Sequence, residues 1–140
     1  MRVTGETNTS EVRVVVADDS VAFRRSLCAF LAGVPGVRVV GEAADADEAV
    51  SVATGTDPDV VLLDLVMPRG GGSSAALRIK SARPAARVIL VSLLGQRELA
   101  HATRTAGADG FVCKADIDTH LVDLLMFDRA DSRGGRDARE

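Results

Sequence analysis

Five short apolar runs recur along the chain: VRVVVA at 12–17, VRVV at 37–40, VVLL at 60–63, RVILV at 87–91 and GFVC at 110–113. Most are β-branched, and none alternates strictly between apolar and polar. Strands of a parallel sheet read this way when helices cover both faces. Between the runs, apolar residues fall at helical spacing. Phe23, Leu27, Phe30 and Leu31 follow i, i+4, i+7, i+8, with Arg24 and Arg25 on the other face. Ser20 is a good N-cap for that helix. Residues 44–54 are alanine-rich and helix-competent, and 73–82 place Ala76, Ile79 and Ala82 on one face. A further helix closes on Gly107, a favourable residue just past a helix end. The last carries Ile117, Leu121, Leu124 and Leu125 at helical spacing.

Strands alternating with helices imply right-handed crossovers and a doubly wound sheet. No repeat of 20 to 50 residues accompanies the alternation, which excludes a solenoid. The predicted fold class is therefore α/β, a (βα)5 doubly wound parallel sheet. Both ends fall outside the pattern. Residues 1–10 are polar, and 128–140 mix four arginines, four acids and two glycines. Neither end can bury enough apolar surface to order itself, so disordered tails are expected on either side of a domain at 11–127.

Composition narrows the class. At 140 residues the chain is most simply one domain. Aromatics are only 3%, with no Trp and no Tyr, so Val, Leu, Ile and Ala must build the core. A net charge of −3 speaks against direct nucleic-acid binding. Cys28 and Cys113 cannot form a disulfide framework and are read as reduced thiols of a cytoplasmic protein. Neither a secretory signal nor an apolar run of ~20 residues is visible, so no membrane association is expected. His101 and His120 lie on predicted helices and are read as surface residues.

The polar residues at the strand ends carry the chemistry. The first apolar run leads into Asp18 and Asp19, the third into Asp64, the fourth into Ser92 and the fifth into Lys114. Only the second, ending near Gly41, carries no such group. Ligands of open α/β sheets bind beyond the carboxyl ends of the strands, where strand order reverses. In the flavodoxin-like order 2-1-3-4-5 the other four ends surround one cleft. Three carboxylates that close repel one another unless a cation neutralises them. Hard oxygen ligands suit Mg2+. A carboxylate there can attack a phosphoryl group, with an ammonium and a hydroxyl receiving its oxygens. Each residue alone has a plainer reading: Asp18–Asp19 as a helix cap, Asp64 as a turn residue, Ser92 as a cap, Lys114 as a solvated strand end. Their conjunction on one side of the sheet is what points to an aspartyl-phosphate site.

With those residues in place, the chain resembles the receiver domain of bacterial two-component response regulators. The matching pieces are VVVADDS at 14–20, VVLLDLVMPRGGG at 60–72, ILVS at 89–92 and AGADGFVCK at 106–114. They lie within 12 to about 125, nearly all of the expected domain. VVGEAADADEAV and AGADGFVCK look most like receivers of the LuxR/NarL-type regulators, here without the helix-turn-helix output domain. The resemblance implies that Asp64 is the phosphoacceptor, and that Asp18, Asp19, Asp64 and the backbone carbonyl of Val66 hold Mg2+. It implies that Ser92 bonds the phosphoryl group and moves toward it, that Lys114 pairs with the phosphate, and that Phe111 is the aromatic switch. Pro68 and Gly72 would shape the loop after the acceptor. Its partners would be a sensor histidine kinase and either a downstream protein or a missing DNA-binding domain. Receivers of this type often pair, so a weak or phosphorylation-dependent homodimer is also expected. Leu93 departs from the pattern by its bulk and is expected to restrict access to the phosphoryl group. The glycine-rich RGGGSS at 69–74 is expected to be a mobile loop.

The resulting expectation is a phosphorylation-dependent signalling switch, not an enzyme beyond its own phosphotransfer and autodephosphorylation. A stand-alone receiver is preferred over the front half of a transcriptional regulator. Two other classes compete. A Mg2+-dependent phosphatase would need a second acid two residues past Asp64, where Val66 stands. A degenerate, phosphate-independent binding module is opposed by the intact acids, serine and lysine.

Overall fold

A computed structural model describes residues 11–130. In chain order they form β1 (Val12–Ala17), α1 (Val21–Ala32), β2 (Val37–Ala43), α2 (Ala46–Thr56), β3 (Val60–Asp64), α3 (Gly71–Ala82), β4 (Arg87–Ser92), α4 (Gln96–Ala106), β5 (Gly110–Cys113) and α5 (Ile117–Ala130). A 3-10 turn at Lys114–Asp116 joins β5 to α5. The strands make one parallel sheet in the order β2-β1-β3-β4-β5, as expected from the sequence.

The period of two along each strand divides the core into two layers. Val15, Ala17, Val61, Leu63, Val88 and Leu90 belong to one, with Ala46, Ala49, Ala53, Ala75, Ala76, Ile79 and Leu99 of the helices. Val14, Val16, Val60, Leu62, Ile89 and Val91 belong to the other, with Leu27 and Leu31 of α1 and Leu121 and Leu125 of α5. Strands buried on both faces can be apolar throughout, which explains the unbroken runs. Among the described residues no helix is long and apolar enough to cross a membrane.

Helix ends follow their local chemistry. Ser20 Oγ accepts from the Phe23 amide at 3.2 Å, as its N-cap position predicts. Gly107 ends α4 in the left-handed conformation at φ 71°. Asp45 caps α2 by accepting from the Glu48 amide, while Glu48 accepts from the Ala44 amide, each at 2.8 Å. That reciprocal cap starts α2 at Ala46, two residues later than the composition of 44–54 suggested.

Other boundaries also move. β2 continues through Gly41 to Ala43 because β1 pairs with it up to Ala17. The stretch expected as a mobile loop at 69–74 is largely the first turn of α3, which begins at Gly71. Ala82 is exposed, and Ala75 takes its place beside Ala76 and Ile79 on the buried face of α3. α5 continues through Asp128 and Arg129 to Ala130, inside the stretch expected to be a tail. Arginine and alanine are good helix formers, so the backbone ladder continues past the last apolar residue. The tails expected at 1–10 and beyond 130 lie outside the described residues.

Candidate functional site

The carboxyl ends of β1, β3, β4 and β5 converge on one cleft, lined by Asp19, Asp64, Val66, Ser92, Leu93 and Lys114. Asp18 follows β1 directly and is 2% exposed. Its Oδ1 accepts from the Ser20 amide at 2.8 Å, and its carbonyl accepts from Arg24 Nη1 at 2.6 Å. Asp19 is exposed to solvent. Asp64 is the last residue of β3 and is buried, with Oδ1 accepting from the Val66 amide at 3.3 Å. Ser92, the last residue of β4, is buried, and its Oγ accepts from the Leu94 amide at 3.2 Å.

Lys114 reaches this group from the end of β5. Its Nζ lies 2.8 Å from Asp18 Oδ2 and 3.6 Å from Asp64 Oδ2. The same ammonium stands over the ring of Phe23, 4.2 Å from the centroid. Asp18, Asp19 and Asp64 place ligand atoms that all lie within 4.8 Å of one another, and this one ammonium contacts two of the three carboxylates. Burial and the neighbouring charge of Asp18 push the Asp64 carboxyl up to about 6, against the pull of Lys114 and the Val66 amide. Excess negative charge and closely spaced hard oxygens suit a small divalent cation.

The loop after Asp64 is held from two sides. The Pro68 carbonyl accepts from the Ala46 amide at 3.1 Å, and the Gly72 amide donates to the Leu65 carbonyl at 2.8 Å. A Cβ on Gly72 would overlap the Asp64 carbonyl oxygen and lie 2.8 Å from Leu65 Cα. Glycine at this position is a requirement of close approach, not a source of mobility.

Phe111 is not part of the cleft. It is half-buried on β5 and borders a separate shallow apolar groove with His120, Asp123 and Leu124. Leu93 stands at the cleft, 82% exposed, and Val66 is exposed beside it. His101 and His120 are exposed, and both cysteines are free and half-buried. Burial and Glu42 push the Cys28 thiol up to about 11, away from thiolate chemistry.

Three contributors escaped the sequence. Helical spacing places Arg24 on the face of α1 opposite the apolar stripe, yet its side chain is only 16% exposed and pairs with Glu42 at 3.1 Å while holding the Asp18 carbonyl. Glu42 lies near the end of β2, the strand expected to bring no charged group. Phe23 begins the apolar stripe of α1, and it also faces Lys114. A continued β2 beyond Gly41 was the available signal for Glu42. Nothing near Phe23 in sequence marks Lys114, and helical spacing alone does not show that Arg24 turns back to Asp18 and across to Glu42.

The profile of the response regulator receiver domain matches residues 14–126. An uncharacterized transcriptional regulatory protein of Bacillus subtilis, YxjL, is 32% identical over 127 residues, covering 91% of this chain and 57% of the relative. The chain thus spans little more than half the length of that regulator. The crystal structure of a LuxR-family two-component response regulator from Aurantimonas sp. SI85-9A1 superposes with a TM-score of 0.81 at 33% identity, covering 86% of each chain. The signal receiver domain of the putative response regulator NarL from Mycobacterium tuberculosis superposes with a TM-score of 0.74 at 33% identity, covering 84% of this chain and 98% of that one.

Proposed function

Since this chain belongs to the response regulator receiver domain family, we propose that it is a phosphorylation-dependent signalling switch with Asp64 as its phosphoacceptor. The observation that carries this reading is the convergence of Asp18, Asp19, Asp64, Ser92 and Lys114 at the ends of four strands. A sensor histidine kinase, or a small phosphodonor, supplies the phosphoryl group. An Asp64 carboxylate oxygen attacks phosphorus, the new P–O bond forms, and the bond from phosphorus to the donor breaks with its electron pair leaving on the donor. Lys114 and Ser92 receive the phosphoryl oxygens, where a fixed ammonium and a hydroxyl stabilise the developing charge.

The donor set fits Mg2+ held by Asp18, Asp19, Asp64 and the Val66 carbonyl. When bound, the ion supplies the positive charge that lets a carboxylate and a phosphoryl anion approach. The chain's own residues do the rest. Arg24 and Ser20 fix Asp18 through its carbonyl and carboxylate. Val66, where a phosphatase of related architecture would carry an acid, cannot shuttle a proton to an external substrate. In this reading the protein is a cytoplasmic signalling module that passes its state to a protein partner or to a DNA-binding domain outside this chain. One observation favours a second reading. Leu93 stands at the cleft, and a side chain that hinders donors there would suit a phosphate-independent binding module.

A switch requires that phosphorylation be felt at Phe111. The chain has four Phe and no Tyr or Trp, so its aromatic proton spectrum is sparse. On phosphorylation with Mg2+, the Phe111 ring signals are expected to move more than those of the other three. In Ser92→Ala the chain still gains a phosphoryl group but Phe111 keeps its unphosphorylated signals. A phosphorylated wild type with an unmoved Phe111 contradicts the switch.

A further inference from the structure

Among the described residues the ammonium of Lys114 meets two carboxylates and one group that carries no charge. Asp18 and Asp64 take two directions, at 2.8 and 3.6 Å. The Phe23 ring takes the third, 4.2 Å from its centroid. That distance is well inside the ~6 Å reach of attraction between a cation and a ring face. Phe23 is also held in register with the carboxylates. Asp18 Oδ1 accepts from the Ser20 amide, and Ser20 Oγ accepts from the Phe23 amide, so two hydrogen bonds link the acid to the backbone beneath the ring.

We propose that Phe23 is a positioning residue: its ring face holds the Lys114 ammonium beside the carboxylates, ready for an incoming phosphoryl group. The proposal rests on the phosphoacceptor reading above. A lysine stem has four flexible carbons and no preferred direction of its own. Contacts with Asp18 and Asp64 weaken whenever another cation claims those oxygens. The ring contact does not, because the ring has no charge to neutralise. The ring also excludes water from one side of the ammonium, which strengthens its attraction for an anion. An aliphatic side chain of similar size would fill the space without attracting the cation.

The chain contains only two lysines, Lys80 and Lys114. Labelling the lysine ε-carbon therefore gives two ε-methylene signals in the NMR spectrum. Lys80, paired with Asp109 at 3.0 Å, serves as the internal reference. In the metal-free wild type, ring current from Phe23 displaces the Lys114 signal upfield. Phe23→Tyr keeps the displacement and Phe23→Leu removes it. Phe23→Leu also slows phosphoryl uptake from a small phosphodonor by about threefold to tenfold, and Phe23→Tyr restores the rate. Thermal unfolding checks that Phe23→Leu is folded; Phe23→Met replaces it if it is not. An undisplaced Lys114 signal in the wild type overturns the proposal, as does wild-type phosphorylation speed in the folded ringless variant. A displaced signal in a protein that takes no phosphoryl group either as wild type or as Leu93→Ala instead brings down the phosphoacceptor reading, leaving the contact without its purpose.

Discussion

Asp64→Asn is expected to stabilise the metal-free protein at neutral pH by about 1–2 kcal/mol. Removing a residue from a strand end ordinarily costs stability. Here the carboxylate is buried beside Asp18, and its pKa rises from 3.8 to about 6. An acid whose folded value exceeds its unfolded value favours the fold only while protonated. Below about pH 4 both states carry the proton, and Asp64 contributes no pH dependence. Between about 4 and 6 the folded state holds the proton that the unfolded state has lost, so stability falls as pH rises. Above about 6 the whole penalty is present, on the order of 3 kcal/mol for this shift. Asparagine recovers only part of it, because solvent at the open cleft already screens some of the penalty in the wild type. Urea unfolding in a chelator, for wild type and variant, reads the difference directly. It should be near zero at pH 4 and largest above pH 6. A destabilised Asp64→Asn at pH 7 would return Asp64 to the role of an ordinary turn residue.

Gly72→Ala should destabilise by about 2 kcal/mol, lowering Tm by roughly 6 °C for a domain of this size. Two effects compete. Alanine favours a helix over glycine by up to ~1 kcal/mol. Against that, its Cβ would overlap the Asp64 carbonyl oxygen and press on Leu65 Cα at 2.8 Å. Both are backbone atoms that cannot swing aside like the end of a side chain. α3 must retreat, losing the bond from the Gly72 amide to the Leu65 carbonyl and shifting the acceptor itself. Overpacking of this kind typically costs 1–3 kcal/mol or more, so the clash wins. Gly55, within α2, is the control, since a Cβ there meets nothing within 4 Å. Gly55→Ala should raise stability by roughly 0.5–1 kcal/mol. Equal responses at the two positions would show that helix preference alone is at work.

Much of this site is legible in the sequence because its logic is local. Asp18, Asp64, Ser92 and Lys114 each follow an apolar run, and a sheet buried on both faces makes such runs easy to see. The order of the strands gathers them. Where sequence reasoning fails, a long-range contact overrides a local preference. The glycines at 70–72 suggest a loop, yet the near contact of Gly72 with Asp64 sets the start of a helix. Gly41 suggests a strand end, yet pairing with β1 carries β2 on to Ala43 and delivers Glu42 to Arg24. Phe23 looks like one more apolar position, because nothing near it in sequence announces Lys114.

The central claim is that Asp64 accepts a phosphoryl group. Its most direct test is the intact mass of the protein after incubation with Mg2+ and a small-molecule phosphodonor, beside Asp64→Asn. The expected result is a gain of one phosphoryl group by the wild type that disappears in the variant and in a chelator. Leu93→Ala is run in parallel to relieve any crowding at the cleft. No gain in either the wild type or Leu93→Ala, or an equal gain in Asp64→Asn, would contradict the account.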